Sequence, residues 1–334
     1  VSAATTAPPG PTSPAPTPAP TPAGQGGATP YIRRRIDLTF QLGTEVILVG
    51  GRPESTGKPA TFANGANTLR LTGHRCSVTI SHAAAGAKTT CSVRVYGMPF
   101  KDMIALTTRG LQYPAVLNHT IEVNAGDDLA GMTRIFKGVL VNCYFDGESQ
   151  PDVALMVEAF AGAYDEMKPA PPISVAGGVD VATIMKQLAG QMKLTFENHG
   201  VVAKLRDIYY PGTAMQQARR IAEHAGINFT NENGVLAIWP RGRSRDTGEV
   251  PLISPTSGMK TYPIFDSRGI MVTTLFRPLK LGIKIVVQSH LWNMEQKLFY
   301  IYGYSYSLES ESPGGQWHAT FGASGQPMNL IPTS

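Results

Sequence analysis

Between Gly269 and Ala323 apolar and polar positions alternate with the period of a β-strand. Ile283, Ile285 and Val287 fall on one face, and Lys284, Val286 and Gln288 on the other. Tyr300, Tyr302, Tyr304 and Tyr306 repeat at the same period, which predicts four phenol rings on one strand face. The turn residues Pro313-Gly314-Gly315 then lead into a closing strand predicted over Gln316 to Phe321. Runs of this kind build a barrel or a sandwich. Nothing between Gly269 and Ala323 assembles a constellation for covalent chemistry.

The same reading divides the chain into four blocks. Residues 1–30 carry SPAPTPAPTP among Ala, Thr and Gly with no charge, and predict an extended, polyproline-like arm. Residues 31–168 offer short β-branched and aromatic runs such as TLRLTG, CSVRVYG, NHTIEVNAG and TRIFKGVLVNCYF, punctuated by Gly and Asn, the pattern of an antiparallel barrel or sandwich. One short helix is predicted within Phe100 to Thr107, before a stop at Arg109-Gly110.

Residues 169–242 change period. Asp180 caps a predicted helix with Ile184, Met185, Leu188 and Met192 on one stripe. Thr213 caps a second, with Ala214, Met215, Ala218, Ile221, Ala222 and Ala225 inward and Gly226 ending it. Each helix runs into a similar phrase, KLTFENHGVV and INFTNENGVL, which predicts two helix–strand units in one small α/β domain. Asn233-Gly234 is the hairpin signal before the strand VLAIW. Residues 243–334 are loop-rich to Ser267 and β thereafter.

Composition adds bounds. At 334 residues the chain is long enough for two or three domains, and its 16% of charged residues is low for a freely soluble monomer, which suggests a surface covered by partners. A net charge of +5 does not argue for nucleic-acid binding. Cys76, Cys91 and Cys143 form no CxxC pair and no His-linked spacing. Cys76 and Cys91 could face each other across a hairpin turning at Gly86, but reduced thiols are the simpler account. No run reaches the ~20 apolar residues of a membrane helix, and the N-terminal block lacks the charged and apolar segments of a signal peptide.

The candidate chemistry is thin. GRPESTGKP, Gly51 to Pro59, lacks the hydroxyl that follows Lys in a phosphate-binding loop, since Pro59 stands there. His74, His82, His119, His199, His224, His290 and His318 make no local metal spacing. Glu309 and Glu311 would share a strand face as solvated charges rather than as a catalytic pair. Asn118 and Asn228 begin glycosylation sequons. Arg33-Arg34-Arg35 reads as an exposed strand start that could also contact phosphate. The tyrosine run could stack on bases or sugars, though a core-packed face or a subunit interface is favoured. No catalytic, cofactor-binding or metal-ligating residue is therefore assigned, and no cofactor is expected.

Taken in order, VRVYGM, NHTIEVNAGD, IFKGVLVNCYFD and PDVALMVEAFAG are followed by TAMQQARRIAEHAGINFTNENGVLAIWPRG, TLFRPLKLGIKIVVQS and GGQWHATFGA. This sequence of segments, from about Tyr31 to Ala323, resembles the baseplate hub proteins of tailed bacteriophages, which are related to the base of type VI secretion spike proteins. The resemblance implies a mainly β fold with an α/β portion: two tail-tube-like β-barrel domains at 31–168 and 243–334, and a helix-and-hairpin domain at 169–242. It also implies a homotrimer in the virion tail, assembled in the host cytoplasm, that joins a sixfold tube to a threefold spike. Its implied partners are a tail tube protein or tube initiator, a central spike protein, other baseplate proteins and a tape measure protein. Genomic DNA would pass in transit. Some hub relatives carry a fused lysozyme-like or peptidase domain, and this chain has no spare length for one.

Two other readings stand beside it. A secreted carbohydrate-binding module or hydrolase with a Pro-Thr linker would need an exposed aromatic platform, for which the tyrosine run is the candidate. A cell-wall-degrading tail enzyme would need a cleft holding a carboxylate of raised pKa.

Overall fold

The computed structural model describes residues 32–49, 52–82, 88–108, 118–129, 131–148, 150–245, 248–291, 294–328 and 330. The arm at 1–30, the turn at Gly86 and the stop at Arg109-Gly110 lie outside these residues. The first β-rich stretch comprises β1 (Arg34–Gln41), β2 (Thr44–Val49), β3 (Arg52–Pro59), β4 (Thr68–Leu71), β5 (Cys76–His82) and β6 (Thr90–Tyr96). Helix α1 (Phe100–Leu106) follows, then β7 (Thr120–Asp127), β8 (Gly131–Asp146), β9 (Ala154–Phe160) and α2 (Ala163–Met167). The middle stretch runs β10 (Ile173–Asp180), α3 (Val181–Gln191), β11 (Thr195–Asn198), β12 (Lys204–Tyr210), α4 (Ala214–Ala225), β13 (Ile227–Glu232) and β14 (Val235–Pro240). The last holds β15 (Leu252–Ile253), β16 (Ile264–Phe265), β17 (Ile270–Leu275), β18 (Lys284–Ser289), β19 (Met294–Ser310) and β20 (Trp317–Ser324). The fold is mainly β with an α/β portion.

The middle stretch follows from local signals. Asp180 accepts a hydrogen bond from the Thr183 amide at 3.2 Å, and Val181, Ile184, Met185, Leu188 and Ala189 are buried on one face of α3. Thr213 and Gln216 form a reciprocal capping box on α4, and Gly226 closes it at φ 63°. Asn233 and Gly234 both take positive φ, 52° and 78°, as a two-residue hairpin turn requires between β13 and β14. The duplicated phrases become two β–α–β units, β10-α3-β11 and β12-α4-β13. Their first strands pair with each other, and their last strands flank β14. A separate apolar cluster fills this stretch.

The first and last stretches share one sheet. Its order is β16-β17-β20-β19-β5-β6-β9-β8-β7-β1-β4, with β18 on β19 and β15 on β18. The junction is the antiparallel ladder of β19 with β5, from Tyr304 opposite His82 to Ser310 opposite Cys76. A single core cluster runs under both stretches and takes in Trp239 from β14. β2 and β3 form a separate hairpin, so GRPESTGKP, apart from Gly51, which lies outside the described residues, is a strand and not a phosphate loop.

The structure corrects the tyrosine face. The β19–β20 register shifts between Ile301 and Gly303, so Tyr302 sits in a bulge. Before it, Phe299 and Ile301 point into the core. After it, Tyr304, Tyr306 and Leu308 do, opposite Phe321, Ala319 and Trp317. Tyr300 is thereby placed on the opposite face, and the four rings do not share one. Tyr302 instead lies over Gly322, whose added Cβ would stand 2.8 Å from its ring.

Candidate functional site

The three consecutive arginines at 33–35 each have a structural partner. Arg33 donates from Nε to Glu311 at 3.0 Å, Arg34 lies over the Trp317 ring at 5.8 Å, and Arg35 stands 3.8 Å from both Asp37 and Asp128. Glu311 lies beyond the end of β19 at φ 53°, turned to Arg33, so it shares no strand face with Glu309. Asn228 is buried, accepts from the Leu330 amide at 2.9 Å and donates to the Met328 carbonyl, which removes it as a glycan acceptor.

The cysteines do not meet. Cys76 stands opposite Val95 and Cys91 opposite Ile80, and all three thiols are free and buried. Burial pushes Cys76 up to about 11 and Cys143 up to about 12, so neither is a thiolate at neutral pH. The histidines stay apart, and among the described residues no group of three metal-capable side chains forms. His119 accepts from the Gly43 amide at 2.9 Å, and His82 faces Thr89 and stacks on Tyr304; burial lowers both to about 4.

The arrangement missed from the sequence is a charge cluster where the α/β stretch meets the large sheet. Arg245, fully buried, donates from Nη2 to Glu197 at 2.6 Å and from Nη1 to Glu232 at 3.0 Å. Glu197, next to last in β11, has His199 at 3.1 Å and Lys280 at 3.6 Å. Glu232 ends β13 and also accepts from the Leu281 amide at 3.3 Å and from Tyr304. The Arg245 amide is tied to the Gly282 carbonyl at 2.8 Å. Burial works to raise Glu197, but hydrogen bonds from Arg245 and His199, with the Arg245 and Lys280 charges, hold it at about 2. Glu232 goes the other way: complete burial raises it against the pull of Arg245. The one available signal was the duplication, since both glutamates occupy the Glu-Asn step of the repeated phrase.

Beside this cluster opens a cleft of about 760 Å³ lined by Asn198, His199, Arg243, Lys284, Tyr300 and Pro327, among others. No carboxylate belongs to its described lining. Glu232, the raised acid nearby, is enclosed by Arg245, Tyr304 and the Leu281 amide and is not among the residues that line the cleft. The Asp165 carboxyl is also raised, to about 6, by burial against the opposing charges of Lys168 and Lys193. An aromatic platform for sugars is likewise missing from the predicted run, because Tyr302, Tyr304 and Tyr306 are all buried.

The chain matches the family described as baseplate hub gp41 over residues 71–317. A search of curated protein sequences gives no match. Among solved structures, it is similar to a tail protein from Neisseria meningitidis at 11% identity and a TM-score of 0.54, over 90% of this chain and 98% of that one. It is similar to the 43 kDa tail protein of prophage MuSo2 from Shewanella oneidensis at 11% identity and 0.53, over 89% and 100%. A chain of the Francisella PdpA–VgrG complex gives 8% identity and 0.55, with 90% of this chain and 59% of that one covered. These likenesses establish the fold.

Proposed function

The chain belongs to the baseplate hub gp41 family, and from that premise we propose that three copies close into a ring joining a sixfold tail tube to a threefold central spike. The observation that carries this reading is the β5–β19 ladder, which sets two β-rich stretches of one chain side by side in one sheet. Three chains so built present six such stretches, the number a sixfold tube needs beneath it, while keeping the threefold axis of a spike. Residues 31–168 and 243–334 are then the two tube-like parts and 169–242 the block outside them. Ring closure also gives the exposed sheet ends a neighbour, which an isolated chain must otherwise protect.

In this role the protein acts by geometry rather than by catalysis. Its partners are further copies of itself, a tube protein or tube initiator, the spike, other baseplate proteins and a tape measure protein, with genomic DNA in transit. The test is the mass of the purified chain by light scattering, alone and with tube and spike proteins. A trimer in either sample is the expected result. A monomer that ignores both partners overturns the reading.

A further inference from the structure

The large sheet has one face on the core and one turned away from it; on β8 that second face meets the β13–β14 turn, where Arg134 donates to the Asn233 carbonyl at 2.8 Å. Over β17, β20, β19, β5 and β6 the side chains turned away from the core line up in register. Thr273, Thr320, Ser305, Ser81 and Thr90 form one row across β17, β20, β19, β5 and β6. His318, Ser307, Thr79 and Ser92 form the next, from β20 to β6. The Thr273 and Thr320 hydroxyls meet at 3.0 Å, which fixes them on the same face. All nine positions are exposed or half-buried, whereas their strand neighbours Val272, Phe321, Tyr304, Ile80 and Cys91 are buried.

This surface is unusual in what it omits. A solvated sheet face normally carries Lys and Glu, which keep it soluble and stop strands from adding to it. Here eight hydroxyls and one imidazole span five strands, roughly 19 Å at ~4.8 Å per strand, without a carboxylate, ammonium or guanidinium. Charge begins at the margins. Lys260 stands beyond Thr273, its amide on the Thr273 carbonyl at 2.8 Å, and its charge reaches His318; Asp266 accepts from Tyr302 beyond the Thr320 row. Glu158 stands beyond Ser92 on β9, and Glu309 and Arg94 lie one row further, with Arg94 engaged by Asp146. A duplex binds proteins chiefly by releasing counterions to Lys and Arg, so a surface without them offers a polyanion hydrogen bonds no better than those of water. The face also crosses the β5–β19 junction unbroken, so both β-rich stretches contribute to it.

We infer that this hydroxyl face lines the channel of the ring and is built to let a nucleic-acid polyanion pass without being held. The inference rests on the ring reading above and assigns the residues of its inner wall. It is tested with Ser305→Cys and, on a second strand, Ser92→Cys, with Lys186→Cys on the exposed side of α3 as an outside control. The native cysteines are buried and stay silent. Each variant is treated with a small maleimide and with a bulky polymer-linked maleimide, before and after assembly with tube and spike proteins, and its mass is read on the same sample. In the assembled trimer, Ser305→Cys and Ser92→Cys keep reacting with the small reagent and lose reaction with the bulky one, while Lys186→Cys reacts with both. Loss of the small-reagent reaction means the face is buried between copies and overturns the assignment. Retained bulky-reagent reaction puts the face outside and also overturns it. Either result on a sample of trimer mass leaves the ring reading standing. Failure of every variant and of the parent chain to leave the monomer overturns both.

Discussion

Trp239 and Gly282 occupy one position between them: a Cβ on Gly282 would stand 2.7 Å from Cζ2 of the Trp239 ring. Trp239, next to last in β14 of the α/β stretch, is 1% exposed and belongs to the core of the large sheet. Gly282 precedes β18 at φ 76°, and its amide and carbonyl are bonded to Ile301 and Arg245. An indole from one stretch is thus seated on bare backbone of another.

Gly282→Ala should therefore destabilise twice, through a left-handed backbone that L side chains resist and through displacement of the indole. The expected cost is about 2–4 kcal/mol. Trp239→Ala should cost about 3–5 kcal/mol by leaving a cavity. Chemical denaturation of both variants checks this; a neutral Gly282→Ala would mean the ring yields freely.

Arg245→Met should cost about 3–5 kcal/mol, because Glu232 is left buried with its cation gone. Adding Glu232→Gln removes the stranded charge, and the double variant should recover about 2 kcal/mol of that loss. A double-mutant cycle in urea reads the coupling. Glu197→Gln alone should cost less, since that carboxylate retains solvent.

His119 and His82 are held neutral by burial, at about 4 against an ordinary 6.5. Between those values the unfolded chain binds protons that the fold excludes, so stability should fall as pH drops from 6.5 toward 4. A lowering of this size is worth about 3 kcal/mol per group when fully expressed. His119→Asn retains an acceptor for the Gly43 amide and cannot titrate. Its unfolding midpoint should vary less over this range than that of the parent.

Asp165 has the opposite sense. Burial raises it to about 6 from 3.8, so the fold binds the extra proton and stability should decline as pH rises through that window. Asp165→Asn should be more stable than the parent at pH 7 and no more stable at pH 4, as thermal melts at the two values will show.

How far the sequence could be read depended on the span of each signal. The caps at Asp180 and Thr213 and the turn at Asn233-Gly234 act within four residues, and each element stands where its local pattern places it. The pairing of β5 with β19 joins residues more than 200 positions apart and leaves no local mark. The tyrosine run failed for a different reason. Before the bulge both alternating sets, Phe299 with Ile301 and Tyr300 with Tyr302, are apolar enough to face a core, so periodicity cannot choose between them. Only Gly303 hinted at a break in register. Arg245 was invisible because its partners come from two different strands and its own segment reads as a polar loop.

The β5–β19 ladder also decides how the molecule carries load. A pull along β19 meets seven facing residue pairs from Tyr304 to Ser310 loaded in parallel, so they resist shear together instead of opening one after another as a zipper does. The seam is continuous from one β-rich stretch of the chain to the other, so a force applied along either stretch is passed to its neighbour through these pairs, which makes the chain a strut.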